Sequence, residues 1–464
     1  MKIFFTGAAQ TVTGSQIYIE ANGSKILLEC GLFQGKRDEY YAFNQRFFFN
    51  PSKIDALLLS HAHIDHSGNI PNLVKQGFSN PIYATNATCS LADIMLKDSA
   101  HIQEADVKYV NKKRARKGQP PMQPLYTIND AHLVTELFNP VKYKQIIEVA
   151  PGIKAQFFDA GHILGSAAIL LEIDENNKKT RLWFSGDIGR ENLPLLEDPV
   201  LPFDVDYLIM ECTYGDKLHR NPELAFEEFR QIVKRTISRG GKVIIPAFAV
   251  GRTQEIVYFL NRMVADGDIP AIPVYVDSPL AVNASDIFRQ YAYMFDDETK
   301  SFIENGKHNA LSFPNLHYTR SVEESKKINE NYEPMVIISA SGMAETGRIL
   351  HHLRNNVENP KNTVMIVSWQ APNTLGRRLA ERQKQIRVFG QIFEVYAEIA
   401  TIGGLSAHAG QDMLLKYARE SQSTIKKLFL VHGEIEAANA LIGNLKENNF
   451  SSIVYPERNE MVEI

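Results

Sequence analysis

The sequence predicts an α/β protein of two domains, a β-rich layered part interrupted by a parallel sheet flanked by helices. Three observations carry that expectation. At 464 residues the chain exceeds what one ordinary core supports. Its first hundred residues alternate short apolar runs with turn residues, as strands in layered sheets do. From about Thr213 to Val395 the pattern changes to repeated strand, loop and helix units, and such alternation builds a parallel sheet with functional loops at the strands' carboxyl ends.

Taken in order, KIFFTG, SQIYIEANG and KILLECG read as strands, the last two joined by Asn22-Gly23, a pair that accepts the positive φ of a tight hairpin. IDALLLS (Ile54 to Ser60) reads as a buried strand, and NLVKQGFSNPIYAT as helix, turn and strand. Ala87 to about Lys117 and Asn129 to Phe138 are periodic helical stretches, an excursion from the layers. Strands resume in IKAQFFDAG, AAILLEID, RLWFSGD and VDYLIMEC. The interrupting units pair GKVIIPAF with AVGRTQEIVYFLNRM, IPVYVD with SPLAVNASDIFRQYA, MVIISA with SGMAETGRILHHLRNN, and TVMIVS with WQAPNTLGRRLAERQ. The chain then returns to strand in IFEVYAEIATIGG and closes on a helix and the strand of KKLFLVHGE. The expected boundaries are 1–212 and 396–464 for the layered part and 213–395 for the interrupting domain.

With 22% charged residues and a formal net charge of -4, the chain has no global basic field, so nucleic-acid contacts must come from local patches. The densest is Lys112, Lys113, Arg114, Arg116 and Lys117; it reads first as a solvated helix end and second as a polyanion contact. Cys30, Cys89 and Cys212 are odd in number and lack metal-ligand spacing, which fits a reducing compartment. The start holds no signal-peptide core, and no apolar run approaches the ~18 residues of a membrane span. A cytoplasmic protein without a membrane partner is expected.

The chemistry concentrates in HAHIDH, directly after a strand. His61 and His63, two apart, can turn to one ion, and Asp65 with His66 can reach a second. Zinc accepts imidazole nitrogen and carboxylate oxygen at about 2.0–2.2 Å, and two ions about 3.5–4 Å apart form the clamp used on phosphate esters. Further ligands are offered by His162 in DAGHILGS, Asp187 in FSGDIGR and His432 in FLVHGE, each after an apolar strand. His162 completes the first set and His432 the second, and the two oxygens of Asp187 suit it to bridge. The expected cofactors are two divalent ions, zinc first, with manganese or iron fitting the same nitrogen and oxygen donors.

The motifs LLECGLFQG, HAHIDH, GHILGS, SGDIGR, ECTYGD, GGLSAHAG and LVHGE occur in this order along essentially the whole chain. Together they resemble the β-CASP ribonucleases of the metallo-β-lactamase fold, similar to RNase J and to the endonuclease subunit that cleaves pre-mRNA 3′ ends. The resemblance implies an αββα metallo-β-lactamase sandwich interrupted by a β-CASP domain, with the active cleft between them and single-stranded RNA as substrate. Its metal motifs fall on His61, His63, Asp65, His66, His162, Asp187 and His432. Its additional acidic and histidine motifs fall on Glu211 and His408, implying that His408 meets the scissile phosphate and protonates the leaving oxygen while Glu211 orients it. The implied catalytic set is therefore His408, Glu211, Asp65 and Asp187. Glu29 stands where the family commonly has Asp, with an implied role in hydrogen bonding to ligands. Ending at Ile464, the chain is expected to lack the extra C-terminal domain of the RNase J type.

Phosphate contacts are expected from Ser406 beside His408, from the Ser341-Gly342 turn, and from the helix start at Arg252. Arg348 and Arg377 come second. Trp369 reads as a core residue, with base stacking as its alternative. The expected partners are RNA and, at most, a second copy of the chain. Competing readings are a small ester or thioester hydrolase, a DNA-directed β-CASP nuclease and a noncatalytic RNA-binding subunit. A noncatalytic role is disfavoured because every ligand position is filled. Whether cleavage is internal or proceeds from an end stays open.

Overall fold

A computed structural model describes residues 1–35, 37–305 and 309–464. Two compact units emerge, one of residues 1–191, 198–218 and 407–464, the other of 192–197 and 219–406. The expected boundaries at 212 and 395 lie shortly before these crossings.

The first unit holds two seven-stranded sheets. One runs Glu460–Glu463, Lys2–Gly7, Gln16–Ala21, Ser24–Leu28, Ala56–Leu58, Ile82–Thr85, Phe138–Val141 from edge to edge. The other runs Ile453–Val454, Lys427–Val431, Tyr207–Glu211, Lys178–Phe184, Ala167–Glu175, Ile153–Asp159, Ile147–Ala150. Alternation along a strand sends successive side chains to opposite faces. In Ala167–Glu175, Ile169, Leu171 and Ile173 join Ile3, Phe5, Ile17 and Ile19 in the core between the sheets. Ala168 and Leu170 face the other way, into a second core with Tyr417 and Leu441 of the helices Gln411–Glu420 and Ile435–Glu447. Each fully buried Leu or Ile contributes about 1.5–3 kcal/mol, so the layering follows from the sequence pattern.

The hairpin at Asn22-Gly23 has φ of 48° and 76°, and Ala21 pairs with Ser24 across it. Ser24–Leu28, Ala56–Leu58 and Ile82–Thr85 are mutually parallel, as are Lys178–Phe184, Tyr207–Glu211 and Lys427–Val431. Within each group the carboxyl ends therefore share one edge of the sheet, and the candidate ligands follow those ends.

The helical excursion is Asn86–Ala115, started by Thr85, whose hydroxyl oxygen accepts from the Thr88 N–H at 3.2 Å. The second helix ends at Thr135, and Phe138, expected within it, opens a strand that pairs with Ile82. The helices Arg37–Asn44 and Ile435–Glu447 and the strand Glu460–Glu463 were not expected. EMVE is polar, and what makes it a strand is Lys2–Gly7, with Lys2 opposite Glu463.

The second unit is a six-stranded sheet in the order Leu316–Tyr318, Val274–Val276, Val336–Ser339, Val243–Pro246, Thr363–Ile366, Glu398–Thr401, with every neighbouring pair parallel. IFEVYAEIATIGG divides: Gln391–Glu394 folds back on Gln385–Val388, and Glu398–Thr401 extends the sheet beside Thr363–Ile366. Directly after the strand Val274–Val276 the carboxylate of Asp277, fully buried, accepts hydrogen bonds from Thr319, Ser325, Arg348 and His352. Among the described residues no helix is long and apolar enough to cross a membrane.

Candidate metal centre

The strand Ala56–Leu58 is buried along its length, and the chain leaves it through Ser60 into His61, Ala62, His63 and the short helix Ile64–Ser67. That loop is packed tightly from behind. A Cβ on Gly31 would lie 1.6 Å from the Asp65 carbonyl oxygen, so only glycine lets the two segments meet. Glu29 and His432, each after a strand, take left-handed φ of 63° and 50°, which costs a non-glycine residue roughly 1–2 kcal/mol. Backbone hydrogen bonds hold them there, Glu29 N to Leu58 O at 3.1 Å and His432 N to Ala8 O at 2.8 Å.

Two clusters of ligand atoms result. In the first, His61 Nε2 and His63 Nδ1 are 3.1 Å apart, His162 Nε2 and His63 Nδ1 3.3 Å, and Asp187 Oδ2 lies 3.5 Å from both His61 Nε2 and His162 Nε2. In the second, His66 Nε2 and His432 Nε2 are 3.3 Å apart, Asp187 Oδ1 is 3.2 Å from His66 Nε2, and Asp65 Oδ2 is 3.5 Å from His432 Nε2. Asp187 thus turns one oxygen to each cluster; His61, His66, His162, Asp187 and His432 are buried, while His63 and Asp65 are half-buried.

Hydrogen bonds on the far side of the rings decide what faces inward. Glu29 Oε2 accepts from His66 Nδ1 at 2.5 Å and from the Ser60 hydroxyl at 2.8 Å, and Oε1 accepts from Ser60 N at 2.6 Å. Because the Ser60 hydroxyl donates to Glu29, it accepts from His61 Nδ1 at 2.9 Å. Thr213 repeats the device: its hydroxyl donates to His432 O at 2.9 Å and accepts from His432 Nδ1 at 3.1 Å. His61, His66 and His432 consequently turn a bare Nε2 lone pair inward. Lone pairs converging at 3.1–3.5 Å would repel without a cation. Tetrahedral bonds of about 2.0–2.1 Å place ligand atoms roughly 3.3 Å apart, so the donor set fits divalent ions of zinc's size. Asp187 Oδ1 and His162 Nδ1 are buried without a hydrogen-bond partner, and an ion would supply one for Asp187.

Electrostatics agree with ligation. Burial pushes His61, His63 and His162 below the usual imidazole value and keeps them neutral. Burial alone would raise Asp65 and Asp187, but the imidazoles around them, His432 foremost, hold both carboxyls below the usual range. Burial raises Glu29, and Asp187 at Nε2 with Glu29 at Nδ1 raises His66 against its own burial; an ion at Nε2 would take the place of the proton that Asp187 favours there. The three cysteines are buried free thiols with pKa raised by burial, and none joins a cluster.

Beside the clusters, Glu211 ends its strand with Oε1 accepting from Ile188 N at 2.7 Å and from His408 Nδ1 at 3.1 Å. His408 is placed by backbone: it bridges Gly189, and Ala409 N donates to Ile188 O at 2.7 Å. Its burial lowers the pKa, yet the charges of Glu211 and Asp187 and the Glu211 hydrogen bond outweigh this and push it to about 9. Glu29, His61, His63, Asp65, His66, His162, Asp187, Glu211, His408 and His432 all lie in the first unit.

Ser341, Gly342, Arg252 and Ser406 belong to the second unit. Arg252 is 9% exposed and ion-paired with Glu255 one turn along its helix, and Ser341 Oγ caps its own loop by accepting from Glu345 N at 3.2 Å. Arg348 is committed to Asp277 at 2.7 Å and to Arg320 O, and Arg377 to Glu381. Trp369 is 57% exposed, so its reading as a core residue is corrected: it sits on a loop past a strand end, where no layer covers it. Ser60 and Thr213 were missed; the available signal is a hydroxyl directly before HAHIDH and another two residues after Glu211.

Comparison with known proteins gives a consistent picture. Family models match for a metallo-beta-lactamase superfamily domain over residues 18–180, a Beta-Casp domain over 253–379 and a Zn-dependent metallo-hydrolase RNA specificity domain over 392–456. The chain is 35% identical over 442 residues to Ribonuclease TTHA0252 of Thermus thermophilus, covering 95% of each chain. It is 31% identical over 442 residues to transcription termination factor FttA of Methanocaldococcus jannaschii, covering 94% of this chain and 67% of that one. An RNase J-like protein of the same organism is 30% identical over 442 residues, covering 93% of this chain and 92% of the relative. The crystal structure of a protein of unknown function from Enterococcus faecalis V583 shares the fold, with a TM-score of 0.55 over 99% of both chains at 14% identity.

Proposed function

Since the chain belongs to the β-CASP family of the metallo-β-lactamase superfamily, we propose that it is a metal-dependent ribonuclease hydrolysing phosphodiester bonds of single-stranded RNA. The observation that carries this reading is the pair of ligand clusters joined through the two oxygens of Asp187, with the His408–Glu211 pair beside them. His61, His63, His162 and Asp187 would hold one ion, and Asp65, His66, His432 and Asp187 the other, with zinc favoured by the imidazole and carboxylate donors. Two such ions supply Lewis acidity toward phosphoryl oxygen and lower the pKa of water.

The chain's own residues supply the rest. An alkoxide leaves poorly at neutral pH and needs a proton. His408 is the donor: the charge of Glu211 favours its protonated form, and Glu211 occupies Nδ1, so Nε2 is the atom that delivers. Glu211 itself is fastened by Ile188 N, which keeps the imidazole oriented. Glu29 and Thr213 orient ligands without touching substrate.

The test is cleavage of an end-labelled single-stranded RNA and its DNA counterpart by metal-loaded protein, with Asp187→Ala alongside. RNA cut by the wild type alone is expected, and the ladder separates internal cleavage from cleavage at an end. Intact RNA, or equal cutting by Asp187→Ala, would overturn the assignment.

A further inference from the structure

Phe248 and Trp369 are large aromatic residues left 43% and 57% exposed in the second unit. They stand on loops leaving neighbouring parallel strands. Val243 pairs with both Val336 and Thr363, so the loops that carry Gly342, Phe248 and Trp369 leave three adjacent strands in that order. Adjacent strands lie about 4.8 Å apart, so the two aromatics stand on loops that leave neighbouring strand ends. The position matters. The strand Val243–Pro246 leads on to Val274–Val276 on one side, while its neighbour Thr363–Ile366 leads on, within this sheet, to Glu398–Thr401 on the other. Connections diverging from adjacent strands mark the crevice where open α/β sheets bind ligands.

The loops are stapled. Gln370, 4% exposed, donates Nε2 to Gly342 O at 3.0 Å and to Ser368 O at 3.1 Å, and Gly376 N donates to Met343 O at 3.0 Å. A Cβ on Gly342 would come within 3.1 Å of two Phe248 ring carbons, so the ring rests on bare backbone. Aromatic surface held this way loses little freedom on binding. From Trp369 to Lys384 the chain carries Arg377, Arg378, Arg382 and Lys384 against Glu381 alone, a cationic stretch in an acidic protein. Exposed rings beside positive charge suit a polyanion with flat apolar faces better than an apolar protein partner.

We propose that Phe248 and Trp369 form a stacking platform for the bases of single-stranded RNA. The proposal rests on the ribonuclease reading, and the experiment separates the two. The chain has two tryptophans, and Trp183 is fully buried, donating to Tyr417, so emission from the exposed indole reports on Trp369. Titration with a non-cleavable 2′-O-methyl oligouridylate should quench that emission. Trp369→Ala should raise KM for single-stranded RNA about ten-fold with a smaller change in kcat, Trp369→Phe should recover most of it, and Tyr332→Ala, 88% exposed before the amino end of Val336–Ser339, should leave KM unchanged. RNA cleaved at wild-type KM by Trp369→Ala, with no quenching, overturns the platform and leaves the ribonuclease standing. Quenching without cleavage by wild type supports the platform and removes the ribonuclease.

Discussion

Replacing Glu29 by Gln should weaken binding of divalent ions by about 10–100-fold while the protein stays folded. The magnitude follows from the contacts. Glu29 accepts three hydrogen bonds, from His66 Nδ1, Ser60 Oγ and Ser60 N, at 2.5, 2.8 and 2.6 Å. An amide of the same shape keeps one acceptor oxygen and turns the other end into a donor that meets N–H or O–H. At least one charge-assisted bond is lost, worth about 1.5–3 kcal/mol, which corresponds to roughly ten-fold to over a hundred-fold in affinity. The effect reaches both clusters, since Glu29 fixes His66 directly and His61 through Ser60. Competition with a chelator of known affinity measures it, with unfolding curves in excess chelator as the control for the fold. Metal affinity equal to wild type in a folded Glu29→Gln protein would refute the claim that this carboxylate orients the ligands.

Three further outcomes are expected. His408→Ala should retain its metals and slow cleavage of RNA by about 10²–10⁴-fold, but slow an activated nitrophenyl phosphodiester far less; equal losses on both would count against proton donation by His408. Asp277→Asn should cost about 3–5 kcal/mol in denaturant unfolding at neutral pH, because it strands Arg348 and His352. Burial would raise the Asp277 carboxyl, but hydrogen bonds from His352, Ser325 and Thr319 hold it below the ordinary value. Its contribution is therefore present above the unfolded pKa of about 3.9 and lost as pH falls through the lower folded value, so the gap between variant and wild type should shrink in acid; a constant gap would contradict the linkage. Neutralising Lys112 and Lys113, exposed on the last turn of their helix, should flatten the salt dependence of RNA binding, and an unchanged slope would leave them as a solvated helix end.

Much of the candidate metal centre was legible because the residues that could hold an ion are local or sit at a repeated position. HAHIDH packs four candidate ligands into one turn, and each other candidate follows an apolar strand, so parallel strands deliver them to shared edges. The strand and helix order of the second unit was legible for the same reason, since periodicity is a property of neighbouring residues. Partners distant in sequence were not legible. Ser60 meets Glu29 from 31 residues away, Thr213 meets His432 from 219, and Arg348 meets Asp277 from 71. An isolated arginine or hydroxyl looks alike whether it binds phosphate or a buried carboxylate, and sheet order alone decides which it reaches. The same holds for burial. Trp369 is as apolar as Trp183, yet Trp183 lies within a strand, in the core that the helices cover, and Trp369 lies beyond a strand end. By itself the sequence determined which groups could hold metal and which segments would be strands or helices, because those depend on residue chemistry and short-range pattern. Only the tertiary structure decided which lone pairs turn inward, which cations are already paired and which aromatic rings stay exposed, because those depend on contacts that form only when distant strands pair.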